Sequence, residues 1–208
     1  RSLRVGLELS WTGNGPQVIT TSGLSIDDGK SFVAANLAVL FAQIGRRVIL
    51  VDADLRRGRQ AAAFGLSPTG GLSDVLSGRN RLDACLYQTS ILNLRVLPAG
   101  TNAPNPSDLL ASGSFVSMIQ SLQSACDIIL IDTPPVMIVS DALYAMRHAN
   151  QNLLVLKAGA HDASAVQECL RRVRLGGVEN TAFVLNRCDW SHQGVSYYLK
   201  YGNYDKNS

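Results

Sequence analysis

Two periods alternate along the chain. The runs "RRVILVDAD" and "CDIILIDTPP" are apolar at nearly every strand position, as in strands buried on both faces. Between such runs, apolar residues recur at three- and four-residue spacing, as in "KSFVAANLAVLFAQIG", closed by Gly45, and "DASAVQECLRRVRLGG", stopped by Gly176 and Gly177. The remaining segments continue the alternation: strands in "PQVITTSG", "LNLRVLPAG", "QNLLVLKAG" and "TAFVLN", and helices in "GLSDVLSG", "PSDLLASGSFVSMIQSLQ" (with Ser107 as its cap) and "SDALYAMRHA". The pattern predicts one α/β domain, a doubly wound and mostly parallel sheet with helices on both faces. Ligands of such sheets bind outside the carboxyl ends of the strands.

The domain is expected over residues 1–190, with an N-terminal helix at residues 1–10. A tail follows at residues 191–208, where "YYLKYGNYDKNS" holds four of the six tyrosines among polar residues. The helical pattern is already under way at "RSLR", with no Met, so the chain reads as a fragment, and any membrane segment would lie upstream. Within it no apolar run approaches the roughly 18 residues of a membrane helix, and no signal peptide is visible.

Composition narrows the partners. The 208 residues are 46% hydrophobic and 17% charged, with a net charge of +3, too small to argue for nucleic acid or a membrane surface. Cys85, Cys126, Cys169 and Cys188 are scattered without metal-ligand spacing and read as reduced cytosolic thiols.

The chemistry concentrates in "TTSGLSIDDGKSFVAANLA", a strand, a loop, and Gly29-Lys30-Ser31 opening a helix. That is the context of a phosphate-binding P-loop. Backbone N–H groups from Ser25 to Ser31 (Ser25, Ile26, Asp27, Asp28, Gly29, Lys30, Ser31, with Phe32 next) can curl around phosphate oxygens, and the helix N-terminus adds favourable electrostatics. Lys30 would reach the terminal phosphates, and Ser31 would offer its hydroxyl to Mg2+. The match is not strict, since the motif's first glycine falls on Leu24 and Gly23 lies one residue earlier. Asp27 and Asp28 suit a phosphate site only if their carboxylates point to solvent or to metal-bound water. Two further strands end in acids: Asp52 and Asp54 in "VILVDADLRRG", and Asp132 in "DIILIDTPP". A lone Asp after a strand is often a helix cap; three such acids at one sheet edge beside Gly-Lys-Ser predict a nucleotide and metal site. Phosphoryl transfer needs charge neutralisation, positioning and a group to take the acceptor's proton. Asp52 or Asp54 could serve, on the expectation that the second strand lies beside the P-loop strand.

Together, "SGLSIDDGKS", "VILVDADLRRG", "IILIDTPP", "LPAGTNAPNPSDLL" and the terminal tyrosine cluster resemble the bacterial tyrosine kinases (BY-kinases), with a deviant-Walker P-loop fold of the MinD/ParA kind. The resemblance runs from Arg1 to Tyr204. It implies ATP/ADP and Mg2+ as cofactors, Lys30, Asp52 and Asp54 as catalytic, Asp52 as the base, and Ser31, Asp52 and Asp132 as the metal site. It further implies Asn186 as an adenine contact, Tyr197, Tyr198, Tyr201 and Tyr204 as autophosphorylation sites, and Arg1 and Arg4 as part of an oligomerisation motif. The implied setting is the cytoplasmic domain of an inner-membrane protein controlling capsule or exopolysaccharide polymerisation and export. Implied partners are further copies in a ring, for which an octamer is one allowed size, a transmembrane activator upstream or on a separate chain, and a protein-tyrosine phosphatase. Ile26 departs from the family, which often has Pro there. The competing readings are a MinD/ParA-like ATPase switch, whose signature lysine position holds Ser25, and a pseudokinase scaffold. His148, His161 and His192 read as isolated surface or cap residues, "RRVR" as a solvated helix face, and Trp190 as the tail's anchor.

Overall fold

The computed structural model describes residues 1–101 and 103–188. In chain order its elements are α1 (Ser2–Ser10), β1 (Gln17–Gly23), α2 (Lys30–Gln43), β2 (Val48–Asp52), α3 (Gln60–Ala63), α4 (Leu72–Leu76), a 3-10 turn (Leu82–Cys85), β3 (Tyr87–Gln88) and β4 (Leu94–Leu97). They continue with α5 (Pro106–Ala111), α6 (Gly113–Gln123), β5 (Ile128–Asp132), α7 (Asp141–Met146), β6 (Gln151–Lys157), α8 (Ala163–Leu175) and β7 (Thr181–Asn186).

The strands form one sheet in the order β3-β4-β2-β5-β1-β6-β7, parallel throughout except for the two-residue edge strand β3. The expected doubly wound parallel sheet is therefore what the chain builds. One expectation is corrected: β2 is not beside the P-loop strand. The β1–α2–β2 crossover skips one position, and β5 fills it, pairing with β1 on one side and β2 on the other.

Side-chain alternation explains why the strands are apolar throughout. From β2 and β5, Ile49, Val51, Ile129 and Ile131 point to one face, where they meet Leu72, Leu110, Phe115 and Leu122 of α4 to α6. Val48, Leu50, Ile128 and Leu130 point to the other, against Ala34, Leu37, Ala38 and Phe41 of α2. A third cluster packs Leu154 of β6 against Met146 of α7 and Cys169 and Val173 of α8.

The helix expected over "PSDLLASGSFVSMIQSLQ" is two helices. Ser112 between them is extended (φ −76°, ψ 155°), and its hydroxyl donates to the Leu109 carbonyl at 2.7 Å, a local bond that competes with helix continuation. Nor is Ser107 the cap: Asn105 holds that position with Pro106 following, and the Ser107 hydroxyl donates to Asp141 on α7.

Candidate nucleotide and phosphotransfer site

The carboxyl ends of β1, β2 and β5 finish level with one another. Thr21 pairs in register with Asp132, and Asp132 with Asp52. The Ala53 N–H donates to the Asp132 carbonyl at 2.8 Å, and the Thr133 N–H to Thr21 at 2.9 Å, so the three strand ends are stitched together. Asp52 and Asp132 are each 1% exposed and Asp54 is 6% exposed. Lys30, the first residue of α2, donates from Nζ to Asp54 Oδ2 at 3.3 Å and to Ser31 Oγ at 3.2 Å. The structure thus brings together Lys30, Ser31, Asp52, Asp54 and Asp132, which lie far apart in sequence.

Gln60 joins the acids and was not singled out by the sequence. Its N–H donates to Asp52 Oδ2 at 2.9 Å, and its side-chain amide donates to Asp132 Oδ2 at 2.8 Å and to the Ser31 carbonyl at 3.1 Å. No motif contains it; only the fold reveals its place. Asp132 Oδ1 and Gln60 Oε1 are buried without a hydrogen-bond partner among the described residues. Burial, and then the neighbouring charge of Asp132, pushes the Asp52 carboxyl up to about 7. Burial also raises Asp132, against the opposing pull of Lys30 and Gln60.

The carboxylates crowded around Lys30, one of them with an orphaned oxygen, fit a divalent cation. Among the described residues no three His, Cys, Asp or Glu side chains form a closed metal cage. Mg2+ would need no such cage, since it binds through one or two carboxylates, retained waters and substrate phosphates.

The phosphate loop is clamped from two sides. Gly29 has φ +91°, and a Cβ there would lie 2.1 Å from Asn186 Nδ2, which donates to the Asp28 carbonyl at 2.9 Å. Asn186, at the end of β7, therefore sits against the loop. Asp27 is exposed, as required of a carboxylate beside phosphate. Asp28 departs from that expectation. It is 2% exposed, accepts from the Ser25 N–H at 2.7 Å, and pairs with His161 Nε2 at 2.7 Å. Its carboxylate is turned into the protein because the β6–α8 loop supplies that partner. His161 is correspondingly neither isolated nor at the surface. Gly23 leaves room for this arrangement, since a Cβ there would meet Asp28 Oδ2 at 3.0 Å.

Beside the loop lies a cavity of ≈ 190 Å3 lined by Lys30, Ser31, Phe32, Asp54, Arg57 and Arg59, among others. Ile26 and Phe32 stand exposed at its rim. Of the helix carrying the two N-terminal arginines, Arg1 caps α1, and Arg4 pairs within the helix with Glu8. Arg171 and Arg172 of "RRVR" are exposed and pair with Glu168, as a solvated face should. Trp190, His192 and the four tail tyrosines lie outside the described residues.

The family model described as an AAA domain matches residues 20–181. The tyrosine-protein kinase wzc of Salmonella typhimurium is 36% identical over 201 residues, 95% of this chain and 28% of that protein. The chain thus spans little more than a quarter of that curated relative. The solved kinase domain of the Escherichia coli tyrosine kinase ETK superposes with a TM-score of 0.84 at 30% identity, covering 93% of this chain and 77% of that one. The septum site-determining protein MinD of Pyrococcus horikoshii, solved with Mg-ADP, superposes with a TM-score of 0.70 at 27% identity, over 83% of this chain and 70% of that one. With this sheet order, this loop and these acids at the strand ends, and with those likenesses over nearly its whole length, the chain belongs to the bacterial tyrosine kinases, on a MinD-like P-loop ATPase fold.

Proposed function

We propose that this chain is an ATP-dependent protein-tyrosine kinase domain whose own tail tyrosines, Tyr197, Tyr198, Tyr201 and Tyr204, are acceptors. The observation that carries the reading is the convergence of Lys30, Asp52, Asp54 and Asp132 at one sheet edge. A phenol ordinarily releases its proton near 10. A carboxylate within reach of the acceptor hydroxyl can take that proton, and phosphoryl transfer asks little more of the protein than that, positioning and countercharge.

In this account the backbone from Ser25 to Ser31 binds the phosphates, and Lys30 leaves Asp54 to reach them. Ser31, Asp52 and Asp132 would hold Mg2+, which when bound supplies the positive charge that the acid cluster lacks. Asp52 Oδ1 takes the phenolic proton, while Oδ2 stays fixed on the Gln60 N–H. Asn186, beside the loop on the β7 flank, faces the adenine end. Ser25 occupies the position where the MinD/ParA group carries its signature lysine, which favours a kinase over a switch of that kind.

The acceptor tail follows β7, which ends on the site's own edge of the sheet. From 190 to 204, at about 3.3 Å per extended residue, it can span tens of ångströms, enough to enter a neighbour's site. The family resemblance favours transfer between neighbours in a ring held in part by α1 with Arg1 and Arg4. It also favours a role beneath a membrane in polysaccharide polymerisation and export, with a transmembrane activator and a phosphatase as partners. The test is a mixture of Lys30→Met protein with active protein lacking residues 191–208. Phosphotyrosine on the Lys30→Met chains is the expected result; its absence, with the intact protein labelling itself, would show transfer within one chain.

A further inference from the structure

The loop after β2 carries three arginines, Arg56, Arg57 and Arg59, around Gly58. They are used differently. Arg56 Nε donates to Asp141 Oδ2 at 2.9 Å and ties the loop to α7. Arg57 and Arg59 are exposed and line the cavity beside Lys30 and Ser31. Among the described residues neither makes an ion pair.

Their backbones are nonetheless fixed on the acids. The Arg57 N–H donates to Asp54 Oδ1 at 3.0 Å, and the N–H of Gln60, next after Arg59, to Asp52 Oδ2. Between them Gly58 permits a close approach that a side chain would block: a Cβ would lie 2.5 Å from Ala99 Cβ and 3.1 Å from Asp52 Oδ2. One short loop, clipped to both acids, thus delivers two guanidinium groups to the phosphate cavity.

The charge balance gives them work. Lys30 is a single ammonium beside three carboxylates, its partner Asp54 and the buried Asp52 and Asp132, so a terminal phosphate calls for more countercharge than Lys30 supplies. A third cavity arginine, Arg187, follows β7 on the opposite flank of β1, beside Asn186. The β2 flank, where Arg57 and Arg59 lie, is the one that carries Asp52 and Asp54, and so is the end of the site where the reacting phosphate belongs. We propose that Arg57 and Arg59 hold the terminal phosphate of ATP and neutralise it during transfer, as arginine fingers supplied by the same chain. Arginine suits the role because its planar fork can bind a phosphate through two parallel hydrogen bonds. In transfer the bond from the terminal phosphorus to the bridging oxygen breaks, the bond to the phenolic oxygen forms, ADP leaves, and Asp52 keeps the phenolic proton. The arginines only bear charge.

The inference deepens the kinase reading and rests on it, so the test separates the two. Calorimetric titration of the whole chain with Mg-AMP-PNP and with Mg-ADP compares the wild type with Arg57→Ala, Arg59→Ala and the double variant. The double variant is expected to bind AMP-PNP roughly ten- to hundredfold more weakly while its ADP affinity moves less than about twofold, since charge-assisted hydrogen bonds to the third phosphate alone are lost. Charge reversal in Arg57→Glu/Arg59→Glu should widen that gap. Arg59→Lys should recover part of it. Both side chains are exposed, and unchanged thermal melts will show that the variants fold. Equal losses for the two nucleotides, or no loss for either, would overturn the assignment. A wild type that binds both nucleotides but makes no phosphotyrosine would instead refute the kinase reading, leaving the ratio of the two affinities to decide the role of the arginines.

Discussion

At the scale of single residues, the buried acids and Lys30 set how the site responds to substitution, pH and a divalent cation. Lys30→Met removes a phosphate countercharge and the cation that pairs with Asp54, so nucleotide affinity and transfer should fall together. Asp52→Asn should leave ADP affinity nearly intact and slow transfer by roughly 10²–10⁴-fold, the usual contribution of a general base. The same carboxyl predicts a pH dependence. In the metal-free domain burial, and then Asp132, hold the Asp52 proton up to about 7, whereas the unfolded chain releases it near ~4. Between those values the folded domain binds more protons than the unfolded chain, so stability falls as pH rises from about 4 to about 7 and levels off above. Urea midpoints across that range should show the decline. The Asp52→Asn variant should show less of it, and Mg2+ should reduce it by stabilising the ionised form. A midpoint that is flat with pH in the metal-free wild type would contradict the burial of these acids.

At the scale of elements, the phosphate loop is a strand-to-helix turn held by parts of the chain remote from it. His161, on the β6–α8 loop, and Asn186, at the end of β7, both act through Asp28, one by its carboxylate and the other by its carbonyl. Removing His161 leaves a buried carboxylate short of a partner. His161→Ala is expected to cost about 1–3 kcal/mol of stability and to weaken ADP binding, both readable from urea denaturation with and without ADP. An unchanged midpoint would mean that the loop is held by Asn186 and its own backbone. This region also marks what the sequence discloses. Buried strands such as "VILVD" and "IILID" announce themselves, because being covered on both faces requires apolar residues throughout. The acids that end them follow from the strand boundaries. Asp28 could not be placed the same way, since its partner lies 133 positions away and His161 belongs to no motif. Gln60 was hidden for the same reason. The break at Ser112 was missed because the apolar spacing runs through it, and a single side-chain bond to Leu109 decides the matter.

At the scale of the whole molecule, strand order was the part least legible. Alternation of strand and helix implies a parallel sheet, but not that β5 slips between β1 and β2, because order depends on crossovers that span the chain. The result serves the chemistry, since β5 brings Asp132 between the phosphate loop and Asp52. The tail adds a prediction about assembly. It is nearly neutral, with Lys200, Lys206 and Asp205, and phosphate on four tyrosines would add roughly −6 to −8 charges. Lys30, Arg57, Arg59 and Arg187 line the site beside Asp27 and Asp54, but once ATP phosphates occupy those cations the remaining charge is that of the acids and the nucleotide, so a phosphorylated tail should be repelled and phosphorylation should loosen any oligomer that docked tails help to hold. Light scattering at equal concentration should give a lower mass after ATP treatment for the wild type, and no change for a four-fold Tyr→Phe tail. Equal masses before and after phosphorylation would sink that switch while leaving the kinase reading standing. The central claim has a more direct test: incubation of the chain with Mg-ATP, followed by mass-spectrometric mapping of phosphotyrosine. The account predicts phosphate on Tyr197, Tyr198, Tyr201 and Tyr204 in the wild type and almost none in Asp52→Asn; ATP hydrolysis without any phosphotyrosine would contradict it.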